Sequence, residues 1–138
     1  MPVFHFHKGE RLKSRKAIEQ LFRDRSMPTL GQYPLRLVWD KVAEKRSPFP
    51  VQFSVSVPKR RFKSAVARNR LRRQVREAWR LQKHGLYEVL ANDDNHQYVW
   101  MVLYTGQEAL PYSVIEKAMQ KLIRKFIASL QTPPNIHQ

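Results

Sequence analysis

An α+β sandwich in the order α-β-β-α-β-α is predicted by three patterns in this chain. Apolar residues recur at three- and four-residue steps in three segments, alternate with polar ones in two others, and run almost unbroken from Tyr98 to Tyr104. Proline and glycine fall between the segments, where turns are needed. The chain has 138 residues, enough for one domain with a real core and too few for two independent ones. Residues 1–138 are therefore read as one domain, with 1–10 as an N-terminal arm and 131–138 as a flexible tail.

The arm carries His5 and His7 in a stretch bounded by Pro2 and Gly9. Alternate residues of an extended segment point the same way, but two histidines without a third ligand do not make a metal site, and none is assigned. From Arg11 the pattern turns helical: Leu12, Ala17, Ile18, Leu21 and Phe22 gather on one side, with Ser14 placed as N-cap. Pro28 and Gly31 end that helix. Over Tyr33 to Val42, Tyr33, Leu35, Leu37 and Trp39 alternate with Pro34, Arg36, Val38 and Asp40, the period of a strand with one face buried. Pro34 suits an early or edge position. Ser47-Pro48-Phe49-Pro50 breaks the chain; Val51, Phe53, Val55 and Val57 then alternate with Gln52, Ser54 and Ser56 until Pro58. These two strands are expected to pair antiparallel.

A basic helix follows, expected to stop near His84-Gly85 because glycine favours a helix C-terminus. A short piece, Leu86 to Leu90, leads to the polar turn Asn92-Asp93-Asp94-Asn95. Tyr98-Val99-Trp100-Met101-Val102-Leu103-Tyr104 reads as a central strand covered on both faces. After Pro111, Val114, Ile115, Ala118, Met119, Leu122, Ile123, Phe126, Ile127 and Leu130 define an amphipathic closing helix, with Lys117, Lys121, Arg124 and Lys125 outward.

The charge is concentrated. Between Lys59 and Arg80 lie Lys59, Arg60, Arg61, Lys63, Arg68, Arg70, Arg72, Arg73, Arg76 and Arg80 against one acid, Glu77. At about 100° per residue Leu71, Val75, Ala78 and Trp79 share one arc of that helix, and Asn69, Arg73, Arg76 and Arg80 the opposite one. A merely solvated face would mix signs and place acids four residues before bases. The whole chain carries a net charge of +15, with a pI near 10.7, which makes a polyanion the natural partner. Arginine predominates over lysine, as bidentate phosphate contact requires. Asn69 can either contact a 2′-hydroxyl or base edge, or serve the helix start as a cap.

Several classes are disfavoured. With no cysteine there are no disulfides or thiolate metal sites, which suits the cytoplasm. No run has the length of a membrane span, and the first ten residues lack the apolar core of a secretory signal. Acids stand singly except for Asp93-Asp94, there is no glycine-rich phosphate loop, and Ser54 and Ser56 have no local histidine. No catalytic residue is assigned: the pattern describes a binder. The aromatic residues Phe22, Tyr33, Trp39, Phe53, Trp79, Trp100 and Tyr104 are read mainly as core. The polar strand face, with Arg36, Gln52, Ser54 and Ser56, is where unpaired bases would stack.

At Arg68-Asn69-Arg70-Leu71-Arg72-Arg73, followed by Arg76-Glu77-Ala78-Trp79-Arg80, the sequence resembles the bacterial ribonuclease P protein subunit family. The likeness extends through Ser54-Val55-Ser56-Val57-Pro58-Lys59-Arg60 and Lys63 to Val66, back to Arg11-Leu12-Lys13 with Ile18 and Leu21-Phe22, and forward to the last strand and helix. Pro58 and Phe62 depart from common spellings, Ile18 stands where many members have an aromatic residue, and Arg36 falls on a strand position often aromatic. The resemblance implies a left-handed βαβ crossover. It further implies a cytoplasmic subunit that holds a large catalytic RNA, and a cleft that takes the single-stranded 5′ leader of precursor tRNA. Magnesium ions held by that RNA, and not by the protein, would direct water at the phosphodiester. Arg68, Asn69, Arg70, Arg72, Arg73 and Arg76, with Arg80 on the same stripe, would contact the catalytic RNA. Lys59, Arg60 and Phe22 would line the leader path together with Arg36, Ser54 and Ser56. Neither DNA nor membrane is expected as a partner. The competing readings are a ribosomal or general structural RNA-binding protein, a helix-turn-helix DNA binder, which lacks a second helix close before Ala65, and an autonomous nuclease, which lacks metal ligands.

Overall fold

The computed structural model describes residues 5–24, 27–42, 45–91 and 96–131. The expected polar turn at 92–95 and the tail beyond 131 lie outside the described residues. Helix α1 (Arg15–Arg23) starts where Ser14 Oγ accepts a hydrogen bond from the Ala17 amide at 3.2 Å. A hairpin of β1 (Thr29–Gln32) and β2 (Leu35–Val42) follows, joined at Tyr33-Pro34 through a cis peptide. Next come β3 (Val51–Ser56), the long helix α2 (Ala65–Leu90), β4 (Gln97–Tyr104) and helix α3 (Tyr112–Gln131).

The four strands lie in the order β1-β2-β4-β3, which corrects the expected pairing. The strands at Leu35–Val42 and Val51–Ser56 are not neighbours. β4 lies between them, antiparallel to β2 and parallel to β3. The reason is visible in β4 itself: an almost wholly apolar strand cannot leave an edge or a face in water. The predicted order also lacked β1, which contributes four more residues on the free side of β2.

Register divides the sheet into two unlike faces. On one, Leu35, Leu37 and Trp39 stand beside Tyr104, Val102 and Trp100, with Val51, Phe53 and Val55 completing the rows. Helices α2 and α3 seal this face with Leu71, Val75, Ala78, Trp79, Leu86, Ile115, Met119, Leu122 and Phe126. Trp79 stacks on Phe53 with ring centroids 4.7 Å apart and meets Trp100 at 4.9 Å. The other face presents Arg36, Leu103 and Ser56 in one row and Val38, Met101 and Ser54 in the next. Here α1 covers only part, packing Leu21, with Leu12 before it, on Val38, Val99 and Met101.

Helix α2 continues through Gly85 to Leu90, past its expected stop. Glycine costs about 1 kcal/mol against alanine inside a helix, and burial of Leu86 and Leu90 against the sheet outweighs that. The same stretch buries a charge. Lys83 Nζ donates to Glu10 Oε2 and to the His5 carbonyl; Tyr87 Oη donates to the same carboxylate at 2.5 Å, and the His7 amide to Glu10 Oε1 at 2.9 Å. Glu10 has no exposed surface at all. Burial, and then the hydrogen bond to Glu10, push the Tyr87 hydroxyl far above the ordinary tyrosine range. The arm is thereby tied across β3 onto α2, and Leu12 donates its amide to the Phe53 carbonyl at 2.9 Å, so the outer edge of β3 is not bare.

Candidate nucleic-acid interface

The basic helix begins at Ser64, whose Oγ accepts from the Ala67 amide at 3.3 Å. That assigns the cap to Ser64 and frees Asn69 from it. Asn69 is exposed, and its Oδ1 accepts from Arg72 Nη1 at 2.7 Å, so amide and guanidinium present one combined surface. Leu71, Val75, Ala78 and Trp79 all face the core, as their periodicity predicts, and this orientation throws Arg70 and Arg73 into solvent.

The arginines are not equivalent. Arg68 turns back on the preceding loop, donating to the carbonyls of Phe62 and Lys63 at 2.8 and 2.9 Å. Arg80 is clamped to Glu77 by two hydrogen bonds of 3.1 and 2.6 Å, which hold the carboxyl below its usual range and the guanidinium above its own. Arg76 is half-buried, and its pKa is lowered first by that burial and then by the charges of Arg11 and Arg72. Arg11 therefore belongs to this cluster, although the basic segment of the sequence starts far downstream. Its guanidinium lies 4.7 Å from the Phe6 ring centroid.

The predicted strand-face residues are brought together in part. Arg36 and Ser56 flank Leu103 on one row, and Ser54 lies on the next, on the face that α1 leaves half open. Gln52 does not join them: it is buried, with its Nε2 donating to the Gly9 carbonyl at 3.2 Å beneath the arm. Phe22 sits at the C-terminal end of α1 and is 52 % exposed, beside a hollow of about 260 Å³ whose walls include Leu21, Met27, Arg36, Val38 and Leu103. An exposed aromatic ring next to a guanidinium is what stacking on an unpaired base requires. Trp39, Phe53, Trp79, Trp100 and Tyr104 belong to the core on the sealed face, whereas Tyr33, at the hairpin turn, is 62 % exposed.

Lys59 and Arg60 are exposed in the loop from β3 to α2. Arg61 anchors that loop by donating to the Thr105 carbonyl at 2.7 Å, past the end of β4. A continuous basic rim thus runs from the strand ends to the first turns of α2. His7 stacks on Phe49 with 5.2 Å between ring centroids. Among the described residues no three His, Asp or Glu side chains are grouped as a metal site, and no helix is long and apolar enough to cross a membrane.

A family model described as Ribonuclease P matches residues 6–127. The chain is 40 % identical over 125 residues to the ribonuclease P protein component of Porphyromonas gingivalis strain W83, covering 89 % of this chain and 88 % of that one. It is 32 % identical over 108 residues to the component of the same name from Chlorobaculum tepidum, covering 75 % and 70 %. Among solved structures, the RNase P protein of Thermotoga maritima superposes with a TM-score of 0.62 at 18 % identity, covering 84 % of this chain and 96 % of that one. The Staphylococcus aureus RNase P protein gives 0.60 at 13 %, covering 85 % and 94 %. At such identities the structural likeness speaks for the fold.

Proposed function

Because the chain belongs to the ribonuclease P protein family, we propose that it serves as the protein subunit of this endoribonuclease, binding a catalytic RNA through α2 and the 5′ leader of precursor tRNA on the half-open sheet face. The observation that carries this reading is that one small domain presents two unlike surfaces: the outward Arg70 and Arg73 of α2, and, on the half-open sheet face, the exposed Phe22 with Arg36 around a hollow. Guanidinium groups take phosphates by forked hydrogen bonds, and an aromatic ring takes an unpaired base whatever its identity. A leader of variable sequence needs that combination.

In this reading the chemistry resides in the RNA, whose magnesium ions activate water, and the protein supplies affinity and orientation. The geometry agrees with a division of labour between the two halves of α2. Its first half presents Arg70 and Arg73 outward; its second half buries Lys83 against the arm and Leu86 and Leu90 in the core. The setting is the cytoplasm, where precursor tRNA is found.

Cleavage of precursor tRNA at low magnesium tests the reading, with catalytic RNA alone, protein alone, and both together. Activity is expected to rise only in the mixture. An unchanged rate on adding protein would sink the subunit role and leave a ribosomal or general RNA-binding protein. Replacing Arg70 by alanine should weaken RNA binding by about 1–3 kcal/mol, as expected for loss of one charge-assisted contact. It should also make affinity less steep in salt.

A further inference from the structure

A groove runs between the first turns of α2 and the loop that leads into α3. It encloses about 550 Å³ and is walled on the α2 side by Val66, Arg70 and Gln74 and on the loop side by Leu110, Pro111 and Tyr112. A second hollow of about 250 Å³ continues it along α2, sharing Gln74 and Tyr112 and adding Arg73 and Glu77, whose carboxylate is paired with Arg80.

The loop wall is built, not merely adjacent. Tyr104, fully buried at the end of β4, donates its hydroxyl to the Glu108 carbonyl at 2.8 Å and accepts from the Leu110 amide at 3.0 Å. Gly106 lies so close to the Tyr104 ring that an added Cβ would come within 2.8 Å of it. These contacts hold Leu110 and Pro111 against open space. Opposite them Val66 is 79 % exposed, an apolar side chain left in water at the groove mouth.

Two features ask for a polar ligand inside an apolar slot. The Tyr112 hydroxyl is buried and has no hydrogen-bond partner among the described residues. Such a group is costly to leave unmade. Burial, then the nearby carboxylates of Glu116 and Glu77, raise its pKa, so it stays a donor. Gln74 on the facing helix offers an amide donor and acceptor together, the pairing that reads a base edge. Arg73 immediately precedes Gln74 and Arg70 stands about one helical turn before it, so both can take phosphates next to a base held at Gln74.

We propose that this groove receives one unstacked nucleotide of RNA, its base held flat between Val66 and Leu110–Pro111, its edge bonded to Gln74 and Tyr112, and its phosphates gripped by Arg70 and Arg73. Charge selects RNA as occupant over an apolar peptide, since the groove is flanked by guanidinium groups on a chain of net charge +15. The inference rests on the proposed function and deepens it: α2 reads a base as well as holding a backbone.

The test uses the full chain, its Gln74→Leu/Tyr112→Phe double variant and Arg70→Ala, each titrated with the catalytic RNA across a salt series. The double variant is expected to bind about tenfold more weakly with an unchanged salt slope, because no phosphate contact is lost. Arg70→Ala is expected to lower the slope by about one counterion. Chemical probing of the RNA should show one unpaired base losing protection in the double variant while backbone protection persists. Tyr112→Phe removes an unpaired buried hydroxyl, so its melting temperature should hold or rise, separating lost affinity from lost fold. Binding within twofold of wild type, with base protections intact, overturns the groove proposal and leaves the subunit reading standing. Failure of the wild-type chain to bind the RNA overturns both.

Discussion

The two faces of one sheet are built from the same four strands and put to opposite uses. On the sealed face, alternating Leu, Val, Trp and Phe are closed by α2 and α3 into a core around Trp79 and Trp100. On the half-open face, α1 covers the middle rows, while Arg36, Leu103, Ser54 and Ser56 run out to an exposed Phe22. Strand periodicity makes this division unavoidable, since neighbouring residues point to opposite sides. The lesson is that one strand can carry stability on its odd positions and recognition on its even ones, and substitutions one residue apart should report on different properties.

The sharpest break should come from Trp79→Ala. It removes a fully buried ring stacked on Phe53, and urea unfolding should show a loss of about 3–5 kcal/mol. That is a large share of a domain's stability. On the other face Leu21→Ala empties a smaller cluster beside an open hollow, where neighbours can close in, so the cost should be near the low end, about 2 kcal/mol. If the two losses were equal, the half-open face would be as much a core as the sealed one. Phe22→Ala should move stability by no more than about 0.5 kcal/mol. Its effect belongs elsewhere: precursor tRNA with a leader should bind more weakly by about 1–3 kcal/mol, the worth of one stacked base, and mature tRNA should bind unchanged. A comparable loss with mature tRNA would remove Phe22 from the leader path.

Much of this arrangement was legible in the chain. The 3.6-residue period of Leu71, Val75, Ala78 and Trp79 fixed the buried face of α2 but only part of its outward stripe, since Asn69 and Arg73 are exposed while Arg76 and Arg80 are partly covered, and the N-cap at Ser14 and the apolar strand from Tyr98 were readable from residue type alone. What stayed hidden depended on long-range partners. β1 is only four residues long and contains Gly31, too little pattern to separate from a turn. The strand order was misread because adjacency in sequence suggested a hairpin, although the doubly apolar β4 already demanded neighbours on both sides. Gly85 marked a helix end by local rules, and tertiary burial of Leu86 and Leu90 overrode it. Glu10 and Lys83 gave no local signal of their pairing, since 73 residues separate them. For the candidate site, the charged and aromatic members were visible as residue types. Gln74 and Tyr112 were not, because an amide and a phenol become notable only when a loop from the far end of the chain faces them.

The strand order β1-β2-β4-β3 also has a consequence in time. A chain is made from its N-terminus, so β2 and β3 emerge before the strand that joins them. Neither can complete its native ladder until residues 97–104 have left the ribosome, and α2 must leave first because it lies between β3 and β4 in sequence. The arm waits as well, since the carboxylate of Glu10 has no ammonium partner until Lys83 is made. Most of the long-range contacts therefore form late and together, which favours all-or-none closure over piecewise growth. Until then the nascent chain is a strongly basic polymer with its arginines already displayed, and it can meet RNA before its sheet exists.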